Sequence, residues 1–264
     1  MSLLLVILSG VSVMGADEEA ESFGSRIRTD TSLIGILYDL KQDQQRKPLS
    51  RVGYFKTLDD FLNKGWDEAV LNRFFRATAP LYTTQVYIPP LNADKAPKAF
   101  GVEKVVEPKM WLVHYKGQVI PPKSGSFRFV GYADDVIAAA VNGVTVLATG
   151  HPSVLERKAL TWRSKEKPGM PAYNGDLGYG DWFQVLKDEP MDVDLILGEN
   201  PGGNFCAFLF IQEKGVVYEM KEGHPVLPVF RVAEQEIHVP IPRGQNRRPW
   251  PAFAQGSPAW KALQ

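Results

Sequence analysis

Residues 136–148 are apolar at most positions, and the run is interrupted in its middle by Asn142-Gly143. Both central residues of a type I′ turn need positive φ, which Asn and Gly tolerate best. The spacing therefore predicts a tight hairpin with arms at 136–141 and 144–148. A strand pattern surrounds it. In 110–116, Trp111, Val113 and Tyr115 alternate onto one face. After the turn Pro121-Pro122-Lys123-Ser124-Gly125, the run 126–130 alternates again, with Phe127 and Phe129 inward and Arg128 outward. The continuous apolar runs 193–197 and 205–211 read as buried strands joined by the loop 198–204.

Earlier in the chain, 33–40 reads as a first strand, and 81–88 as another closed by Pro89-Pro90. The period turns helical over 57–75, through Leu58, Phe61, Leu62, Trp66, Ala69, Val70 and Phe74. Thr57 stands as the helix start, and Gly65 as a point where the segment splits in two. No fixed internal repeat occurs, which excludes solenoids and propellers. With 23 glycines and 20 prolines the composition suits many short strands and turns. The fold class expected is all-β: an antiparallel, jelly-roll-like sandwich with small helical insertions.

The N-terminus carries a separate message. Residues 3–16 are apolar or small and are followed by Asp17-Glu18-Glu19. The run is shorter than the roughly 20 residues of a membrane helix. Val13 and Gly15 occupy the −3 and −1 positions of a signal-peptidase site, although no Lys or Arg precedes the run. The organisation expected is a signal peptide over 1–16 and a loose segment over 17–31. A single sandwich follows over 32–232, with a helical insertion near 57–77, and then a Pro-rich tail over 233–264. Export to the periplasm, cell surface or extracellular space follows, with no membrane span in the mature chain; the alternative is that the apolar run is a buried N-terminal helix.

One stretch resembles a known family. It comprises Trp111…Tyr115-Lys116-Gly117, Pro121-Pro122-Lys123-Ser124-Gly125-Ser126-Phe127-Arg128-Phe129, Ala133-Asp134-Asp135, Val141-Asn142-Gly143 and Val146-Leu147. Together these are similar to the protective-antigen β-sandwich family (the PA-fourteen domain). Gly35 to Tyr38 resembles its opening strand, and 195–199 with 207–210 its closing pair. The likeness is dense over 110–148 and looser over 34–230. It departs at the long segments 57–77 and 155–190, and at Val136, where many members have glycine. The resemblance implies extracellular recognition, often of carbohydrate. In the family's lectin-like members adjacent aspartates are joined by a cis peptide and hold a calcium ion that also ligates sugar hydroxyls.

On that implication Asp134 and Asp135 are the candidate metal ligands, since hard Ca²⁺ takes several oxygen donors. Further donors would come from Asp176, Asp181, Glu199, Asn200 or Asn204. The other reading has Asp134 capping a loop and Asp135 solvated. Tyr173, Asn174, Tyr179 and Trp182, with Trp162 nearby, are a second candidate ligand surface, because aromatic faces beside amides suit sugar rings. Equally, these aromatics anchor a long loop. The histidines His114, His151, His224 and His238 show no ligand spacing, and His114 reads as a surface or inter-sheet residue. Cys206 reads as a small buried side chain. A lone cysteine excludes an internal disulfide framework and any Cys-based metal site.

Enzymatic signatures are missing: the sequence holds neither Gly-x-Ser-x-Gly nor His-Glu-x-x-His. The loop 198–204 lacks the Lys-Ser/Thr of a phosphate loop. Thirty basic residues against thirty acidic ones argue against a nucleic-acid partner held by bulk charge. The expected function is an exported, non-enzymatic binding module recognising glycan or cell-envelope carbohydrate, with calcium as a candidate cofactor. The alternative is a structural or assembly protein of the envelope, in which the sandwich makes protein contacts. The tail, with Pro242, Arg247, Arg248, Trp250 and Trp260, either lies over the sandwich or docks on a protein partner.

Overall fold

The computed structural model describes residues 22–50, 52–156, 159–234, 250–256 and 258–263. The expected signal peptide at 1–16 and the tail residues 235–249, with His238, Pro242, Arg247 and Arg248, lie outside the described residues. Most strands belong to two stacked antiparallel sheets. In the first, β2 (Phe75–Arg76), β1 (Leu33–Asp39), β5 (Trp111–Ile120), β12 (Met191–Glu199), β7 (Val136–Val141) and β8 (Val144–Gly150) lie side by side. β3 (Leu81–Thr83) also borders β1, and β18 (Lys261–Leu263) borders β5. The second runs β4 (Tyr87–Asn92), β13 (Asn204–Glu213), β6 (Gly125–Asp134), β10 (Gly175–Tyr179) and β9 (Met170–Ala172), with β11 (Phe183–Val185) also on β6. Two small pairs complete the list: β14 (Met220–Lys221) with β15 (His224–Pro225), and β16 (Leu227–Pro228) with β17 (Phe253–Ala254). The all-β sandwich is the class expected from the sequence.

The faces follow the period-2 pattern. Trp111, Val113 and Tyr115 point between the sheets, where they meet Phe127, Phe129, Leu195, Leu197 and Phe205. Burying each such side chain contributes about 1.5–3 kcal/mol. The opposite faces are buried as well, which is why the central strands are apolar throughout rather than alternating. Leu112, Ala138, Ala140 and Ile196 carry the helix Tyr54–Asn63, through its Leu58, Phe61 and Leu62. Val130, Cys206, Phe208 and Phe210 pack under Tyr87, Met170, Leu177 and Leu227.

Six local readings change. The described part of the segment expected to be loose over 17–31 is anchored, with Phe23 buried against Trp111 and Phe205 and Ser25 bridged to Tyr82. The stretch around Tyr173, Tyr179 and Trp182 is not one long loop but carries β9, β10 and β11. The helix begins at Tyr54 with Gly53 as its cap, so Thr57 is a buried interior residue rather than the start. The run 81–88 is two strands, and the chain crosses from the first sheet to the second between them. Pro89 and Pro90 lie inside β4 instead of ending it, because β4 is the edge of its sheet and a missing N–H is tolerated there. His114 is neither a surface nor an inter-sheet residue. It lies buried on the outer face between Phe61 and Trp66, with Nε2 2.7 Å from Asp194 Oδ1.

Asn142 and Gly143 have φ of 50° and 73°, the hairpin turn their identities require. The described part of the tail lies on the sandwich. Trp260 is buried against Phe127 and Phe230, and β18 continues the first sheet alongside β5.

Candidate functional site

β6 belongs to the second sheet and β7 to the first, so the chain changes sheets at Asp134-Asp135. The peptide bond between the two aspartates is cis. Three other segments reach the same end of the sandwich. The β7–β8 hairpin pairs Val136 with Gly150, which sets His151 beside Asp135, and the His151 N–H donates to the Asp135 carbonyl at 2.8 Å. The β12–β13 connection brings Asn200, whose N–H donates to Asp135 Oδ2 at 2.7 Å. It also brings Glu199, whose Oε1 accepts from the Gly202 N–H at 2.8 Å. The tip of the β9–β10 hairpin brings Asn174, whose Nδ2 donates to Asp134 Oδ2 at 3.2 Å. Beside it, the Tyr173 hydroxyl accepts from Asn204 Nδ2 at 3.4 Å.

Packing at this crossover leaves no room for a side chain under the aspartates. A Cβ on Gly150 would stand 1.8 Å from the Asp135 carbonyl oxygen, so only glycine lets the two strands approach this closely.

The electrostatics are those of crowded, poorly solvated carboxylates. Asp135 is 6% exposed and Glu199 only 1%. Burial pushes Asp135 up to about 7, against the lowering pull of the Asn200 N–H, and the charge of Asp134 raises it further. Burial, and next the charge of Asp135, push Glu199 up to about 9. Glu199 Oε2 is buried and meets no N–H or hydroxyl donor among the described residues; its neighbour is the Asp135 carboxyl, with which it forms a hydrogen bond when one of the two is protonated. Asp135 is thus not the solvated residue of the second sequence reading.

The donor atoms of Asp134, Asp135 and His151 lie within 4.8 Å of one another. Donors arranged around one divalent ion at 2.3–2.6 Å are separated by about this much. The residues therefore fit a cation. Two carboxylates suit a hard ion, whereas an imidazole is a donor more usual for zinc and its neighbours.

The sequence candidates divide by place. Asp134, Asp135, Tyr173, Asn174, Glu199, Asn200 and Asn204 meet at this end. Tyr179 and Trp182 do not. Their rings clamp Arg128, each centroid 4.4 Å from its guanidinium carbon, while Arg128 also reaches Gln212 at 2.7 Å and Glu166 at 2.5 Å. Arg128 stands six residues from Asp134 on β6, roughly 20 Å away. Trp162 is half-buried against the core, Asp176 is exposed on β10, and Asp181 pairs with Lys165 at 2.8 Å. Cys206 is buried, and burial pushes its thiol well up.

His151 was not among the sequence candidates for the metal. Its signal was the hairpin: folding about Asn142-Gly143 carries the chain back to Asp135 near position 150.

No protein-family profile and no curated protein matches the chain. Among solved structures it is similar to the PA14 sugar-binding domain from an RTX adhesin, at 18% identity and a TM-score of 0.43, covering 72% of this chain and 94% of that one. It is also similar to the PA14 domain of the MpAFP antifreeze protein, at 13% identity and a TM-score of 0.40, covering 70% and 83%. A third is the epithelial adhesin 6 A domain from Candida glabrata in complex with Galβ1-3GlcNAc, at 12% identity and a TM-score of 0.34, covering 72% and 83%.

Proposed function

We propose that the chain is an exported, non-enzymatic module that binds carbohydrate at the Asp134-Asp135 end of the sandwich with the help of a divalent cation, calcium first. One observation carries this reading. Asp134, Asp135 and Glu199 are packed at a crossover where burial disfavours the charges of Asp135 and Glu199, and Glu199 Oε2 meets no N–H or hydroxyl donor among the described residues. A cation supplies the missing positive charge, and Asp134, Asp135 and His151 are the groups placed to hold it. The ion would supply a Lewis-acidic partner for sugar hydroxyls, and the loops of Tyr173, Asn174 and Asn200 border the same end of the sandwich. Asn174 and Tyr173 then orient the ring through an amide and an aromatic face.

Export rests on the apolar run 3–16 with its small-residue end and acidic flank. N-terminal sequencing of native protein tests it, and an intact Met1 on cytosolic protein overturns it. Among the described residues no helix is long and apolar enough to cross a membrane.

The site is tested by a glycan array run with calcium, with zinc and with chelator. Binding that needs a cation and is lost in Asp135→Asn supports the reading. Glycan binding indifferent to chelator overturns the cation, and an array blank in every condition overturns carbohydrate as the ligand.

A further inference from the structure

On the outer face of the second sheet, away from the aspartates, lies a cavity of about 350 Å³. Its floor is apolar, from Leu177 of β10 and Phe210 of β13. One wall is the returning tail at Trp250 and Pro251, and the rim is the β14–β15 hairpin. Phe210 is four residues along β13 from Cys206, the register partner of Asp134, so the cavity is displaced from the cation site by roughly 13 Å.

The walls are held in place. The Tyr87 hydroxyl donates to the Pro251 carbonyl at 2.9 Å in a buried hydrogen bond. Leu227 and Pro228 pair in parallel with Phe253 and Ala254, and the rings of Tyr87 and Phe253 meet at 5.0 Å. The rim hairpin turns on two residues, Glu222 and Gly223, with φ of 52° and 81°, which brings Lys221 and His224 opposite one another. A preformed cavity loses little ordering entropy when it binds.

The lining selects a ligand class. The half-buried Trp250 indole and the apolar floor offer a flat surface that accepts C–H groups. The rim carries an acceptor, the Glu222 carboxylate, beside donors on Lys221 and His224. An anion meets Glu222 and a cation meets Lys221, so neither is favoured. A purely hydrocarbon ligand leaves the rim groups unused. A neutral ring with one apolar face and a hydroxyl edge satisfies all of them.

We propose that this cavity, built between the Trp250–Ala252 wall and the Lys221–His224 rim, is a second binding site that takes one uncharged pyranose ring without a metal ion. It is separate from the cation-assisted site and does not depend on it.

The test is saturation-transfer NMR on the whole chain in excess chelator. The probes are methyl glucopyranoside, galactopyranoside and mannopyranoside, with N-acetylglucosamine, and glucuronate and glucosamine serve as charged controls. At least one neutral probe is expected to receive saturation on its ring C–H protons at a few millimolar, more strongly than the charged controls. Trp250→Ala is expected to weaken that probe about tenfold, and Glu222→Gln severalfold, while Asp135→Asn leaves it unchanged. If Trp250→Ala melts early, the isosteric Glu222→Gln decides. No transfer to any neutral probe, parental affinity in Glu222→Gln, or loss of binding in Asp135→Asn each overturns the proposal. Sugar binding seen only with added cation supports the aspartate site and refutes this one.

Discussion

Replacing Gly150 by alanine probes the crossover that holds the candidate cation site. The added methyl would lie 1.8 Å from the Asp135 carbonyl oxygen, 2.8 Å from its carbonyl carbon and 2.9 Å from Val136 Cα. All three are backbone atoms, so no side-chain rotation relieves the clash. Restoring ordinary contact means parting the two segments by roughly 1.5–2 Å. That separation breaks the hydrogen bond from the His151 N–H to the Asp135 carbonyl, 2.8 Å long, and pulls the Asp135 N–H from the Gly198 carbonyl at 3.2 Å. Overpacking of this kind costs about 1–3 kcal/mol, and each lost buried bond about 0.5–1.5 kcal/mol. The sum is about 2–6 kcal/mol. At about 2–4 °C per kcal/mol for a domain of this size, the melting temperature should fall by about 4–24 °C. Gly169→Ala is the control, since its nearest neighbour would be the Tyr179 hydroxyl at 3.8 Å. Scanning calorimetry on both variants reads the difference, and a cation titration reads the damage to the site. If Gly150→Ala melts within about 1 °C of Gly169→Ala, the close approach of the two strands is wrong. Cation affinity unchanged in Gly150→Ala would remove Asp135 from the site.

Calcium at about 100 times its dissociation constant should stabilise the parent by about 2.7 kcal/mol, and chelator should remove that increment. Asp135→Asn should blunt it, with magnesium as the control ion, and a melting curve blind to calcium, zinc and chelator refutes the cation site. The pH dependence has a definite sign. Asp135 titrates near 7 in the fold against 3.8 for its ordinary value, so its contribution to stability is full below about pH 4 and is lost as pH rises through 7. In chelator the parent should therefore lose stability relative to Asp135→Asn across that window, and a constant difference between the two in thermal melts refutes the buried carboxylate. At the hairpin, Gly143→Val must adopt the φ of 73° that glycine holds, and should cost about 1 kcal/mol or more. Equal melting of that variant and the parent would place the turn elsewhere.

Much of the sandwich was legible because its determinants are local. Asn142-Gly143 specifies its own turn, and the alternation at Trp111, Val113 and Tyr115 marks a face that does meet Phe127 and Phe129 in the core. The aspartate pair stood out in the sequence only through the likeness of 110–148 to a known family, since two adjacent carboxylates say nothing alone about their surroundings. Grouping Tyr173 and Asn174 with Tyr179 and Trp182 followed their closeness in sequence. In the fold the first two sit at a hairpin tip beside Asp134, while the last two lie down the strand around Arg128.

By itself the sequence determined the central strands, the tight turn and the all-β class, because period and turn chemistry act over a few residues. Only the tertiary structure decided which strands lie side by side. That order brings Asp135, His151, Asn174 and Glu199 from four segments to one end of the sandwich. It places Pro89 and Pro90 on an edge that tolerates them and buries His114 beneath a helix. Each of these depends on contacts between residues far apart in the chain, and those are chosen by how whole faces pack rather than by any short run of residues.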